Sequence, residues 1–424
     1  MPHETSAKIS EWLQCHSTQL ASIAPEASLD DLEILRDIVG DARVVALGEG
    51  AHFIKEFWSV RQRLIRFLHE QLGFNIIAAE FDLREAEIIE SWLANSDPRP
   101  LQEVSSYVVD WGMSGMVQWL RSWSATCTRR MRFLGLDVPN GGKAFATMFA
   151  SVVHFLREVD QDSTSLLEEI EPIANALPGT SVVGSMQAWA ALGKAKQDAL
   201  TAGIARLCHR MRALKTVFIE RSSHSQFCSA LRQLEALSCS DYVLRATEAM
   251  HRGGELPLDL SVRDRFMADS LLDILKREPK ARVVLLAHNG HVQKEPVVWN
   301  GYLNSALSLG FYLSNDLGDD YRVIGTSTTD NHTSEMDLNA TSEVGFTVND
   351  IPLERPEKGS LEAELVSAGL GDQITLTALR KSADAGISFD RIRAQSGYLV
   401  GNITAAYDGI LVLPTVTVQS DLGF

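Results

Sequence analysis

The chain has 424 residues, 45% of them hydrophobic and 22% charged, which is enough to bury a large core and is unlike a disordered segment. Its formal net charge is −16 with the basic residues scattered, which argues against nucleic acid as a partner, because phosphate affinity needs clustered Lys and Arg. Five widely spaced cysteines (Cys15, Cys127, Cys208, Cys228, Cys239) form no CxxC pair, so reduced thiols in a cytoplasmic protein are expected rather than a disulfide framework or a zinc knuckle.

Residues 1–40 read as helical. "LDDLEILRDIVG" spaces Leu32, Ile34, Leu35 and Ile38 for one helix face, and Gly40 stops it. The opening residues carry no apolar signal-peptide core. No apolar run approaches the ~20 residues of a membrane helix. A monomer without a membrane partner is the expectation.

Six apolar runs then read as strands: "RVVALG" (43–48), "FNIIAAE" (74–80), "MRFLGLD" (131–137), "ARVVLLAH" (281–288), "YRVIGTS" (321–327) and "GILVLP" (409–414). Most are continuous rather than alternating, which suits parallel strands covered on both faces. Amphipathic helices separate them, such as "FWSVRQRLIRFLHEQLG" and "SVRDRFMADSLLDILKREP". The alternation predicts an α/β fold with a largely parallel sheet flanked by helices. Residues 144–260 break the pattern with several helical stretches and no convincing strand. They read as a helical insertion, a cap over the active-site cleft, between two parts of the α/β core at 1–143 and 261–424. The polar stretch 328–360 reads as a long loop.

In parallel sheets ligands bind beyond the carboxyl ends of the strands. The first run delivers Glu49 and His52 in "GEGAH", the second Glu80, the third Asp137, and the fourth His288 and His291 in "AHNGH". Ionisable groups are costly in a core unless paired, so their recurrence at strand ends is more specific than any one of them. Each has a plain structural reading as well. Asp137 before "VPNGG" suits a helix cap or a loop salt-bridge partner. His52, His288 and His291 suit satisfied core histidines, and Arg61 a surface residue. The glycines around His52 point instead to close backbone approach. The GxG of "GEGAH" lacks the rest of a dinucleotide fingerprint.

Two chemistries fit this set. A neutral His can take a proton from water while a carboxylate holds its ring, and an Arg can steady an oxyanion. HxxH with Glu is also a metal-ligand set, although its place at a strand end differs from the helical spacing of zincins. No GxSxG elbow is present, which favours direct attack by water over an acyl-enzyme.

The stretches "ALGEGAHFIKEFWSVRQRLIRFL", "LGFNIIAAEFD", "LGLDVPN", "SVRDRFMADSL", "VVLLAHNGHVQK" and "IRAQSGYLVGNITAAYDGILVLP" together resemble the erythromycin esterase family, and its A-type macrolide esterases in particular. The resemblance covers nearly the whole chain and is weakest in 144–260 and 328–390. It implies hydrolysis of the lactone ester of fourteen-membered macrolide antibiotics, and hence resistance, without a metal or other cofactor. By motif, His52 would be the base that activates water and Glu49 its partner. Arg61 would bind substrate or stabilise negative charge, and Glu80 and His288 would complete the catalytic set. His291, Asp137 and Arg263 would bind substrate or support the site. Two other readings stand beside this one. A related hydrolase, cyclase or lyase would act on another polyketide-like product, and a pocket that only sequesters a small molecule would bind without turnover.

Overall fold

A computed structural model describes residues 2–94, 97–253, 257–299, 303–339 and 341–422. Residues 254–256, near the end of the expected insertion, lie outside the described part. The eight strands of the main sheet are β1 (Ser17–Gln19), β2 (Val44–Glu49), β3 (Ile76–Asp82), β4 (Arg132–Asp137), β5 (Val283–His288), β6 (Tyr321–Thr328), β7 (Thr375–Ala378) and β8 (Gly409–Leu413). Their order is β1-β7-β8-β6-β2-β5-β3-β4. From β8 to β4 every pair is parallel. The edge strand β1 and its neighbour β7 join antiparallel.

The six apolar runs are the six parallel strands, and the pattern that reveals them also explains their burial. Alternate residues of β2 enter different cores. Val45 and Leu47 pack with Val60, Leu64 and Leu68 of the helix Lys55–Leu72 on one face. Val44 and Ala46 pack with Met267 and Leu271 of the helix Ser261–Arg277 on the other. Each fully buried aliphatic side chain contributes about 1.5–3 kcal/mol, so a strand covered on both faces has no polar side to lose. Gly73, at φ 73°, ends the first of these helices in the left-handed conformation that a glycine adopts without strain.

The helices Gly142–Val159, Thr164–Ala174, Val182–Ala191, Lys194–Ala213, Lys215–Arg221 and His224–His251 share a third core built on Phe145, Phe149, Trp189 and Leu234. Two smaller sheets complete the described structure. One has the order Arg391–Ala394, Gly397–Val400, Val297–Trp299, Leu303–Ala306. The other is a hairpin of His332–Leu338 paired with Phe346–Pro352. This hairpin corrects the loop expected over 328–360. Its inward residues are few and mixed (Thr333 and Ser334 are buried, Met336 half-buried), so no apolar alternation advertises it. The expected helix over residues 1–40 is likewise interrupted by β1, whose three polar residues pair only at the sheet edge.

Candidate active site

The register of the central strands decides which side chains meet. Glu49 of β2 and His288 of β5 are directly paired positions, so both strands deliver their last residue at one level. In β3 the register against β4 shifts between Ala79 and Asp82, a break of the kind that re-aims a side chain, and Glu80 lies inside it. Asp82 and Asp137 are paired beyond it.

The turn after β2 is built for close packing. A side-chain carbon on Gly50 would stand 2.7 Å from the Thr326 carbonyl oxygen, a distance no larger residue tolerates. Among the described residues the two non-glycines with positive φ are Phe53 (60°) and Gln395 (49°); Phe53 lies in this turn, and Gln395 is bonded to it from a distant hairpin, its N–H donating to the Gly50 carbonyl at 2.7 Å. The His52 N–H donates to Gln395 Oε1 at 2.8 Å, the Ser334 hydroxyl donates to the His52 carbonyl, and the Gln419 N–H donates to the Phe53 carbonyl at 2.8 Å. Backbone strain of this sort persists only where the surroundings over-determine it.

His52 Nδ1 lies 2.7 Å from Glu49 Oε1. The carboxylate accepts, so Nδ1 carries the proton and Nε2 is left for the cavity. Glu49 Oε2 accepts from Arg61 Nη1 at 2.8 Å. Arg61 is 1% exposed, and its Nη2 donates to the carbonyls of Leu47 (2.8 Å) and Ala287 (2.6 Å). Burial lowers its pKa from the usual value, opposed mainly by Glu49. Arg61 is therefore an internal clamp across the ends of β2 and β5, not a surface residue.

A second group stands opposite. Glu80 Oε1 accepts from Arg263 Nη2 at 2.8 Å and lies 3.3 Å from His291 Nε2, and Oε2 accepts the His288 N–H at 3.1 Å. Burial pushes the Glu80 carboxyl up, but His291 and Arg263 outweigh it and hold the group well below the usual carboxylate range. His291 Nδ1 donates to Asp264 Oδ1 at 2.7 Å. Burial opposes its charge, yet Asp264 and Glu80 raise its pKa to about 9. Arg263 also forks onto Asp137, with Nε 2.9 Å from Oδ1 and Nη2 2.5 Å from Oδ2.

His288 behaves oppositely. Burial, then the neighbouring His52 and His291, push its pKa well below 6.5. Its Nδ1 accepts from the Gly290 N–H at 3.1 Å, so this neutral ring carries its proton on Nε2. It stacks on Trp299 (centroids 5.4 Å apart, planes at 6°) and lies 5.0 Å from the His52 ring.

A cavity of about 340 Å³ meets Glu49, His52, Arg61, Glu80, Arg263 and His291. Aromatic and apolar groups, Trp58, Trp111, Met336 and Phe346 among them, form the rest of its wall. Behind Arg263 and His291 lies a second cavity of about 290 Å³, reached also by Asp264 and His288. The structure thus brings seven of the eight sequence-derived residues to these two cavities. Asp137 lines neither and stands behind Arg263, as its partner rather than as a helix cap. Asp264, the third side of the His291 cluster, lay in the quoted "SVRD" motif without an assigned role. Tyr107, Asn140 and Trp111 carried no motif signal strong enough to single them out. Among the described residues no group of three or more His, Cys, Asp or Glu is arranged to hold a metal, and no helix is long and apolar enough to cross a membrane.

Comparison with known proteins places these features in a lineage. The profile described as erythromycin esterase matches residues 69–416. Erythromycin esterase type II of Escherichia coli is 29% identical over 415 residues, spanning 97% of this chain and 99% of its own length. Erythromycin esterase type I of Escherichia coli is 28% identical over 384 residues, spanning 90% and 93%. A solved mutant of the erythromycin esterase EreC in its open conformation matches with a TM-score of 0.88 at 27% identity, covering 95% of this chain and 98% of that one. With its sequence and fold matched over nearly its whole length, the chain belongs to the erythromycin esterase family of ester-hydrolysing enzymes.

Proposed function

We propose that this enzyme hydrolyses the lactone ester of a macrolide of the erythromycin type, using water activated by His52 and no metal ion, and so confers resistance. The observation that carries the reading is the contrast between two histidines. His52 is tied to a carboxylate at Nδ1 alone, whereas His291 is held at both nitrogens and stays charged to about 9. A base needs a free nitrogen, and only His52 offers one to the main cavity.

Water between His52 Nε2 and the lactone carbonyl gives its proton to Nε2 as its oxygen bonds to the carbonyl carbon. Glu49 holds the ring and stabilises the imidazolium. The oxyanion forms facing the Arg263 and His291 cations, whose charge is fixed before the reaction. Collapse breaks the ring C–O bond, the His52 proton passes to the departing alkoxide, and a linear hydroxy acid results. Arg61 supports Glu49, since three of its donor contacts are made internally. Metal independence is supported by the commitment of Glu80, Asp264 and His291 to one another. The helices between Gly142 and His251 form the cap, supported by Val182 and Val183 in the cavity wall, and the apolar wall suits a bulky, largely apolar ligand.

The test is mass spectrometry of erythromycin incubated with the enzyme, with and without EDTA, beside growth of a susceptible host expressing the gene. A gain of one water in both tubes and growth on the drug are expected. Intact drug in both tubes moves the substrate to another polyketide-like ester, and loss of turnover in EDTA removes the metal-free mechanism.

A further inference from the structure

Tyr107 and Asn140 lie in the wall of the main cavity, outside the catalytic set. Asn140 Nδ2 donates twice, to Asp137 Oδ2 at 3.1 Å and to the Tyr107 hydroxyl oxygen at 3.1 Å. The Asp137 carboxylate is paired with Arg263 and offers only acceptors, so it fixes which end of the amide faces it. The amide nitrogen then occupies a lone pair of the phenol, and the phenol O–H is left to donate elsewhere. The ring cannot turn away. Phe81 meets it edge-on at 4.9 Å and Trp111 lies 6.1 Å from it. Burial holds the phenol well above its usual pKa, so it remains a donor at any working pH. Trp111 is in turn 6.3 Å from the His52 ring, so one indole touches both the Tyr107 ring and the base.

We infer that the Tyr107 hydroxyl, aimed by Asn140 and Asp137, donates a hydrogen bond to an oxygen of the substrate remote from the ester that is cut. The acceptor is a ketone, ether or hydroxyl oxygen, the polar groups that punctuate a polyketide ring. Tyr107 is a specificity residue and Asn140 a positioning residue. The inference rests on the macrolide reading above and extends it to a second anchoring point. Such a contact exists in ground and transition states alike, so its loss raises KM and leaves kcat unchanged.

The experiment is steady-state hydrolysis of erythromycin by wild type, Tyr107→Phe, Asn140→Ala and the double variant, with melting curves on each. Tyr107→Phe is expected to raise KM by about three- to tenfold, the size of one neutral hydrogen bond, with kcat, pH profile and melting midpoint unchanged. Asn140→Ala is expected to do the same, and to add nothing once Tyr107 is Phe. Unchanged KM in a folded Tyr107→Phe enzyme overturns the inference and leaves the macrolide reading intact. So does a fall in kcat alone, which is the mark of a contact made only in the transition state. Should Tyr107→Phe fail to fold, Asn140→Ala decides by the same criteria. A wild type that leaves erythromycin intact overturns the macrolide reading, and this inference with it.

Discussion

His52 Nδ1 lies 2.7 Å from Glu49 Oε1, and this contact decides which nitrogen of the ring is left for the cavity. Glu80, the second glutamate of the site, is taken by Arg263 and His291. The geometry therefore pairs His52 with the glutamate three residues before it, across a turn that two strained residues hold in place.

Removing the base should abolish catalysis without touching the fold. His52→Ala or His52→Gln is expected to lower kcat by about 10²–10⁴-fold, with an unchanged melting midpoint because the ring is partly exposed. Glu49→Gln should lower kcat as well, through loss of ring orientation and of the buried pair with Arg61. Substantial turnover by a folded His52 variant would assign the base elsewhere.

The charge on His291 sets an alkaline boundary. Its folded pKa, about 9, lies above the ordinary 6.5. The stability it contributes is therefore complete below 6.5 and is lost as pH rises through about 9. Turnover that depends on this cation should fall over the same upper range, and in His291→Gln that limb should vanish along with most of the activity. A pH–rate profile that stays flat through 9 would separate His291 from the chemistry.

Asp82 makes an opposite kind of prediction. Burial, with Glu85 and Asp137 nearby, pushes its carboxyl up to about 8, from 3.8. Its contribution to stability is complete below 3.8 and falls as pH rises through about 8. Asp82→Asn keeps an acceptor for the Glu85 N–H at the helix start and cannot ionise. Thermal melts above pH 8 should show the variant more stable than wild type, with the gap closing as pH falls. Identical curves would mean that ionising Asp82 costs nothing.

The tip of the hairpin is seated by backbone contact. Gly345 has φ 80°, and a side-chain carbon there would stand 2.7 Å from the Gly184 Cα. Gly345→Ala should therefore unseat the tip at a cost of about 1 kcal/mol or more, raise KM through displacement of Met336 and Phe346, and speed proteolysis near residues 341–346. Protease resistance equal to wild type would show that the tip docks without this contact.

The sequence makes the parallel strands easy to read, because each is apolar on both faces. The two antiparallel strands are not readable the same way: β1 is Ser-Thr-Gln and β7 is half threonine, and they are only three and four residues long. Glu49, His52, His288 and His291 stand where apolar runs stop, so their place follows from the strand ends. Glu80 stands two residues before its strand ends, and only the register shift turns it into the site. Arg61 carried a usable signal: a charged residue beside Val60 and Leu64 on an otherwise apolar helix face needs a buried partner. Tyr107 gave none, and Asn140 only its place in "LGLDVPN", since their value lies in a hydrogen bond spanning 33 residues between a short helix and a loop.

The turn that holds His52 is stapled by residues far downstream. Gln395 grips its N–H, Thr417 accepts from Lys55 at 3.0 Å, and Gln419 closes on Phe53. The contact between the His52 N–H and Gln395 spans 343 positions, so the direction of this ring is a non-local property of the chain. It is set only when segments far apart in sequence have met, and contacts of that kind are the slow ones to form in folding.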